Sequence, residues 1–288
     1  MILVTGANGK TGRAIIKSLL VKGERIRAFV HRTEQIEEMK ALGEMEIVAG
    51  DMLDQLAVNE AVVGIRAVYH ICSAMNPDEV QIGQVIIQAA RLAEVEHFVF
   101  HSVLHPGIQE MPHHHKKLLV EELLVNSGIP YTIVQPGVLM QNILESWKLL
   151  SEKGIFQQKY FTTPETRIGM VDLEDLAEAA GIILTRPGHV WASYEISGPE
   201  NLSLSDMKAA MEQHFGHEIT VETPQDEMFA AQLTKRGLGD YKVNTIVKMF
   251  QHYNEHGSVG NSNVLMWILD RKPNDFSSFI LRTLKSNI

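Results

Sequence analysis

The sequence has a single cysteine, Cys72, so no intrachain disulfide can form, and this usage fits a reducing compartment. It has no apolar run near the ~18–20 residues that a membrane helix needs. No secretory leader is expected, because the chain goes straight into an apolar strand. Positive charge is also in short supply: 26 Lys and Arg stand against 35 Asp and Glu, for a net charge of −9. A chain of that sign is poorly suited to neutralising phosphates, so direct nucleic-acid binding is not expected. There is no internal repeat and no low-complexity tract. These absences leave a cytoplasmic protein with no membrane association as the expectation. What remains is ordinary globular composition: 288 residues, 45% hydrophobic and 21% charged, suited to one large α/β domain or a main domain with a smaller lobe.

The first half alternates short β-rich runs with helix-period segments. Strands are predicted at Ile2–Thr5, Arg25–Val30, Met45–Ala49, Ala67–Ile71, His97–Phe100 and Tyr131–Val134. Helical patterns lie between them, at Thr33–Leu42, Asp54–Val63, Glu79–Ala93 and His115–Asn126. Strands separated by helices of that length form right-handed βαβ units, hence a doubly wound parallel sheet of the Rossmann type, covered on both faces. From about residue 136 the regularity fades. Helices are predicted at Leu139–Lys153, Leu173–Leu184, Ser205–Phe215, Asp226–Lys235 and Val243–Glu255, with short strands at Ile168–Val171, Tyr194–Ile196 and Ile219–Glu222. The expected organisation is a Rossmann domain over 1–135. Residues 136–288 then form mainly a smaller C-terminal α+β substrate lobe, with some segments returning to the sheet.

The most informative segment is the first turn. The apolar strand Ile2-Leu3-Val4-Thr5 feeds Gly6-Ala7-Asn8-Gly9-Lys10-Thr11-Gly12, and a helix-like run from Arg13 to Leu20 follows. In such a turn Gly6 permits the tight bend, Gly9 lets the backbone approach a pyrophosphate, and Gly12 lets helix pack closely on strand. The N–H groups and dipole at the helix start then face an anion. The reading is dinucleotide binding, set against a glycine turn in an α/β protein that has lost its nucleotide. An acid after the second strand would take the ribose hydroxyls of NAD. Instead the chain reads Phe29-Val30-His31-Arg32-Thr33, so Arg32 and a protonated His31 favour the 2′-phosphate of NADP, with NADPH expected over NADH. Asp51, after the third strand, either accepts from an adenine amino group or caps the next helix. The small residues Cys72-Ser73-Ala74 sit where a nicotinamide-side loop must run. The expected cofactor contacts are therefore Gly6, Asn8, Gly9, Lys10, Thr11, Gly12, His31, Arg32, Asp51, Met52, Cys72 and Ser73.

The glycine turn, Thr5-Gly6-x-x-Gly9-x-x-Gly12, resembles that of extended and atypical short-chain dehydrogenases/reductases. Further segments resemble the NmrA-like branch of that superfamily: Gly50-Asp51, His97 to Ser102, Ser127-Gly128-Ile129-Pro130-Tyr131-Thr132, Gln135-Pro136-Gly137, Val171 to Ala177, Tyr194 to Glu200 and Arg271 to Phe276. The likeness spans nearly the whole chain and is more specific in its N-terminal half. It implies either an NAD(P)H-dependent reductase of quinones, dyes or similar hydrophobic acceptors, or a protein that senses the dinucleotide and regulates through a protein partner. In the wider superfamily a tyrosine donates the proton, a lysine four residues on lowers its pKa and holds the ribose, and a serine orients substrate. The resemblance matches Ser102 to that serine and Lys117 to that lysine, with Lys117 contacting the nicotinamide ribose. The tyrosine position holds His113, and no tyrosine nearby has a lysine four residues on. His113 as an acid, hydride transfer with protons from solvent, and a catalytically silent sensor all remain open.

The loops at the carboxyl ends of the strands suggest a flat hydrophobic acceptor, lined by Met75, His105, Val138, Met140 and Phe161, or else these residues are lobe core. Asp172 and Asp175 read as helix-start caps. Metal is not expected. His101, His105, His113, His114 and His115 with Cys72 show no HExxH or paired CxxC spacing, and adjacent helical residues point about 100° apart. There is no Gly-x-Ser-x-Gly elbow of a hydrolase. Oligomeric state is left open.

Overall fold

The computed structural model describes residues 1–158 and 165–286. The first half is built of β1 (Ile2–Val4), α1 (Lys10–Val21), β2 (Ile26–Val30), α2 (Gln35–Lys40), β3 (Glu46–Ala49), α3 (Gln55–Ala61), β4 (Ala67–His70), α4 (Glu79–Leu92), β5 (His97–His101), α5 (Pro112–Val125) and β6 (Tyr131–Pro136). Six strands of the main sheet pair in parallel, in the order β6-β5-β4-β1-β2-β3, and the strand Ala192–Ile196 extends the sheet beside β6. The chain runs outward from β1 through β2 to β3, then crosses back to lay β4 on the other side of β1. That reversal opens a crevice at the carboxyl ends of β1 and β4, where ligands of doubly wound sheets bind.

The sequence builds these elements by simple means. Ile2, Leu3 and Val4 are all buried, as a central strand covered on both faces requires. Helix α1 turns Gly12, Ile15, Ile16 and Leu19 inward at spacings of three and four. Helices α4 and α5 meet at Gly83, where an added Cβ would stand 2.8 Å from Val120 Cγ1. Ile86, Val120, Leu124, Phe98 and Phe100 lie in one buried cluster between sheet and helices.

The chain divides into two compact units. The first comprises Met1–Gly107, His113–Gln135 and Leu176–Tyr194; the second comprises Ile108–Pro112, Pro136–Asp175 and Glu195–Ile288. Within the second, Val138–Leu139, Ile168–Val171 and Asn201–Leu202 form a small mixed sheet. Ile155–Gln157 pairs in parallel with Thr220–Glu222. Helix Leu204–Phe215 starts on a capping box, Asp206 N donating to Ser203 Oγ (3.1 Å) and Ser203 N to Asp206 Oδ2 (2.9 Å). Among the described residues no helix is long and apolar enough to cross a membrane.

Two differences from the expected elements bear on function. Helix α5 begins at Pro112, three residues before His115, with proline at the first helical position where its missing N–H has no partner to lose. The long helix expected over Leu139–Lys153 is instead a 3-10 stretch, Met140–Ser146, followed by helix Trp147–Lys153.

Candidate functional site

Backbone geometry sets the glycine turn. Gly6 lies at φ +58°, the left-handed region, and a Cβ there would stand 2.7 Å from the Ile71 carbonyl oxygen. A Cβ on Gly12 would meet Gly6 O at 2.5 Å and Ala7 Cα at 2.8 Å, so α1 packs directly on the turn. Gly9 has ordinary dihedrals, and its Cβ would meet only Gly6 O, at 3.3 Å. The fold thus demands Gly6 and Gly12, while Gly9 bares the outer face of the loop. No side chain caps α1 and no acid stands in its first turn, so the positive end of its dipole is uncompensated. This cradle fits the pyrophosphate of a dinucleotide. Thr5 anchors it, accepting from Ile71 N (2.9 Å) and lying 2.8 Å from His70 Nδ1 across to β4.

At the carboxyl end of β2, His31 and Arg32 are exposed, and their backbone N–H groups donate to Gln35 Oε1 at 3.1 and 3.0 Å. The Arg32 guanidinium has no ion-pair or hydrogen-bond partner among the described residues. A second cation lies beside the glycine loop. Arg13 donates through Nε to Asn8 O (3.1 Å) and through Nη2 to Asn8 Oδ1, and it pairs with Glu38 at 3.0 Å. Asn8 Nδ2 also donates to Glu38 Oε2, at 3.2 Å. Of the two roles open for Asp51, helix capping falls to Asp54, which accepts from Leu56 N at 2.9 Å. Asp51 is exposed, and its carboxylate accepts from Leu53 N at 2.9 Å. Met52 packs against the apolar cluster of the sheet.

A buried ionic cluster occupies the carboxyl ends of β4 and β5. Lys117 Nζ is 2.5 Å from Oε1 of Glu79, the first residue of α4, and both side chains are almost wholly enclosed, at 4% and 1% exposure. The ammonium also donates to the His101 carbonyl (2.9 Å) and lies 5.0 Å from the Phe100 ring centroid. Beyond Lys117, the Glu79 carboxylate has no hydrogen-bond donor among the described residues. His113, one turn before Lys117, brings Nδ1 to 3.9 Å from Glu79 Oε2 without a hydrogen bond. Burial and then the Lys117 charge push the His113 imidazole down to about 3, so it is neutral at pH 7. His101 is lowered to about 3 for the same two reasons, and its Nδ1 lies 3.0 Å from the Tyr69 hydroxyl. Burial raises the Tyr69 phenol well above its ordinary range. Ser102 is buried and donates to Glu121 Oε1, which also accepts from Gln135 Nε2 at 2.9 Å. Burial pushes Cys72 up to about 12, with the Glu79 charge adding to the effect, so its thiol is inert at neutral pH. Ser73 Oγ accepts from Asn76 Nδ2 at 3.0 Å.

Met75 and His105, in the loops after β4 and β5, are non-glycine residues in the left-handed region, at φ +54° and +56°. Such backbone is sparsely populated and is held in place only by its surroundings. The His105 carbonyl is 3.2 Å from His114 Nδ1. Val138 and Met140 belong to the second unit. Val138 pairs with Met170, and Met140 is fully buried as core. Phe161 lies outside the described residues.

A sequence profile of the NmrA-like family matches residues 1–280. The chain belongs to the NmrA-like family. It is similar to an NAD(P)H azoreductase of Xenophilus azovorans, 28% identical over 252 residues that cover 87% of this chain and 86% of that protein. It is 27% identical over 242 residues to quinone oxidoreductase 2 of Escherichia coli, covering 83% of each. The crystal structure of NADPH-dependent quinone oxidoreductase from E. coli complexed with NADPH superposes with a TM-score of 0.84 over 99% of this chain and 100% of that one. At 24% identity that last likeness speaks for the fold.

In this NmrA-like chain the sequence reading passed over Arg13, Glu38 and Glu79. For Glu79 a signal was available, since the buried face of α4 reads Glu79, Ile82, Gly83, Ile86, Ile87, Ala90 and puts an acid at the head of an apolar stripe. For Arg13 and Glu38, 25 residues apart, nothing local announces the meeting. In the second unit, Asp172 does cap a helix start, accepting from Glu174 N (3.1 Å). It also accepts from Gln141 Nε2 (2.7 Å), Asn274 Nδ2 (3.1 Å) and Arg282 Nη2 (2.5 Å). Asp175 takes Arg271 Nη2 (2.7 Å) and Asn274 N (2.6 Å). The two buried carboxylates therefore moor the C-terminal segment of the NmrA-like fold.

Proposed function

We propose that this protein is an NADPH-dependent reductase of flat, electron-poor hydrophobic acceptors such as quinones or azo dyes, acting in the cytoplasm. The observation that carries the reading is the positively poled turn at Gly6, Gly9 and Gly12, closed tightly on itself at Gly6 and Gly12 and bare at Gly9, with no side-chain cap or acid at the start of α1. The azoreductase and quinone oxidoreductase relatives support the choice of acceptor. When bound, the dinucleotide supplies a hydride. The chain's own groups hold it. The glycine turn and the start of α1 take the pyrophosphate, and the unpaired Arg32, with His31 and Arg13 nearby, selects the 2′-phosphate and so NADPH over NADH. Lys117 sets a fixed positive charge at the nicotinamide ribose, and Met75 and His105 flank the acceptor.

The cluster offers no ready proton. His113 is neutral, the Ser102 hydrogen is committed to Glu121, and the Tyr69 phenol is buried beside His101. Acceptors that take hydride first and a proton from water afterwards suit such a site. The direct test is NADPH oxidation with a panel of quinones and azo dyes, beside calorimetric NADPH affinity of the same preparation. Acceptor-dependent oxidation is expected. Tight NADPH binding with no oxidation by any acceptor would overturn the reductase and leave a dinucleotide sensor working through a protein partner. Absence of binding would overturn both.

A further inference from the structure

The helix Asp240–His256 carries His252 and His256 four residues apart, the spacing that puts two imidazoles on one helix face. Their ring centroids are 4.6 Å apart. Glu110, from the segment Ile108–Pro112 of the same unit, brings Oε2 to 3.5 Å from His252 Nδ1. One donor atom from each of the three residues lies within 4.8 Å of the other two. The His252 side chain is only 12% exposed, and its Nδ1 is shielded from solvent without a hydrogen bond. A buried ring nitrogen left in that state, facing a carboxylate and a second imidazole, is an unmet coordination or hydrogen-bonding demand. A further carboxylate, Glu255, lies 3.8 Å from His256 Nε2.

We propose that Glu110, His252 and His256 form a binding site for a divalent transition-metal ion, zinc being the best match. Two imidazole nitrogens and one carboxylate oxygen are the donor set of three-ligand zinc sites, which leave the fourth tetrahedral position to water. Magnesium and calcium, which prefer all-oxygen shells, suit it poorly. At zinc bond lengths of about 2.0–2.2 Å, tetrahedral donors stand roughly 3.3 Å apart, so the present set, spread over no more than 4.8 Å, closes by at most about 1.5 Å. The exposed side chains of Glu110 and His256 can make that movement around the enclosed His252, which acts as the fixed ligand. The ion would pin the segment 108–112 to the helix 240–256 within the second unit. This site is independent of the reductase reading.

The test is calorimetric titration of zinc into the chelator-treated full-length protein, with cobalt(II) absorption as a check on tetrahedral geometry. One zinc per chain is expected, with a rise in melting temperature on binding. His256→Ala, an exposed position, should unfold like wild type without metal yet bind zinc at least about tenfold more weakly, the loss of a ligand. Glu110→Gln should behave the same way. No stoichiometric binding would overturn the site. So would binding of equal strength in the His256→Ala and Glu110→Gln proteins, which would place the zinc on other histidines.

Discussion

Removing one member of the Glu79–Lys117 pair should cost far more than removing both. The ions are 2.5 Å apart and enclosed, and among the described residues the carboxylate has no other donor. Among the described residues, Glu79→Leu leaves the Lys117 ammonium with the His101 carbonyl and the Phe100 face, and Lys117→Met leaves a bare buried carboxylate. Breaking a buried pair in this way costs about 3–5 kcal/mol, whereas exchanging both ions for apolar side chains of similar volume is often close to neutral. Against a whole stability of about 5–15 kcal/mol, each single variant should be close to its unfolding threshold. The double variant should recover to within roughly 1–2 kcal/mol of wild type. Urea unfolding with the slope m held in common measures all four corners of the cycle. If the double variant's loss equals the sum of the singles, the two charges do not sustain each other and the buried cluster has been misread. The same double variant separates structure from binding. It is folded but has no ammonium, so NADPH affinity should fall by about tenfold or more if Lys117 holds the ribose, the range of a charge-assisted hydrogen bond. Unchanged affinity would remove Lys117 from the cofactor contacts.

Gly12→Ala drives a methyl to 2.5 Å from a backbone oxygen, so α1 must shift off the turn. The expected cost is about 1–3 kcal/mol with loss of NADPH binding, and calorimetry showing wild-type affinity would refute the close-packing role. Arg32→Glu should weaken NADPH by roughly 10- to 100-fold and leave NADH nearly unchanged, since one charge-assisted contact to the 2′-phosphate is at stake. Parallel losses for both nucleotides would sink that assignment. His70, His101 and His113 are all pushed down to about 3, while the unfolded chain protonates near 6.5. The unfolded state therefore binds more protons below pH 6.5, and stability present above that value is lost as pH falls toward 3. Three such groups give a slope of about 4 kcal/mol per pH unit at most, and urea midpoints that stay flat from pH 6.5 to pH 5 would contradict it. Asp172→Ala strips a carboxylate with three side-chain donors from the second unit and should cost about 3 kcal/mol, while Glu174→Ala at the surface beside it should cost little.

What the sequence made legible was whatever a local backbone rule dictates. Gly6 and Gly12 could be read because positive φ at the one and helix-on-turn packing at the other admit only glycine, and β1 because a central parallel strand must be apolar throughout. The family resemblance singled out Lys117 as a candidate but did not tell that it is buried. That depends on Glu79 arriving from another helix, 38 residues away by number. Arg13 and Glu38, and the mooring of Asp172 by Arg282, are likewise products of tertiary approach. Asp51 and Asp54 both have the chemistry of a cap, and only the chain's path chooses Asp54. The two-residue strands Val138–Leu139 and Asn201–Leu202 exist because Ile168–Val171 pairs with each of them, and no periodicity can show over two residues. His252 and His256 stand four residues apart on one helix, but Glu110 reaches them only through tertiary approach.

The missing tyrosine looks different once the cluster around Lys117 is assembled. In the superfamily arrangement the lysine works on the tyrosine, lowering its pKa so that a proton can move with the hydride. Here Lys117 instead acts on His113 and His101, and its charge, added to burial, keeps both imidazoles neutral. Lys117 itself is tied to Glu79, so the pair adds little net charge to the crevice while fixing where each charge sits. Such a site gains nothing on carbonyls that need a proton in the transition state. It suits acceptors whose hydride adduct is already a stabilised anion, as with a quinone. On the proposed reductase reading, substrate class would be selected by what the cluster withholds. Burial first and then the Lys117 charge hold the His113 imidazole neutral, whereas a positive charge beside a phenol favours its ionised form.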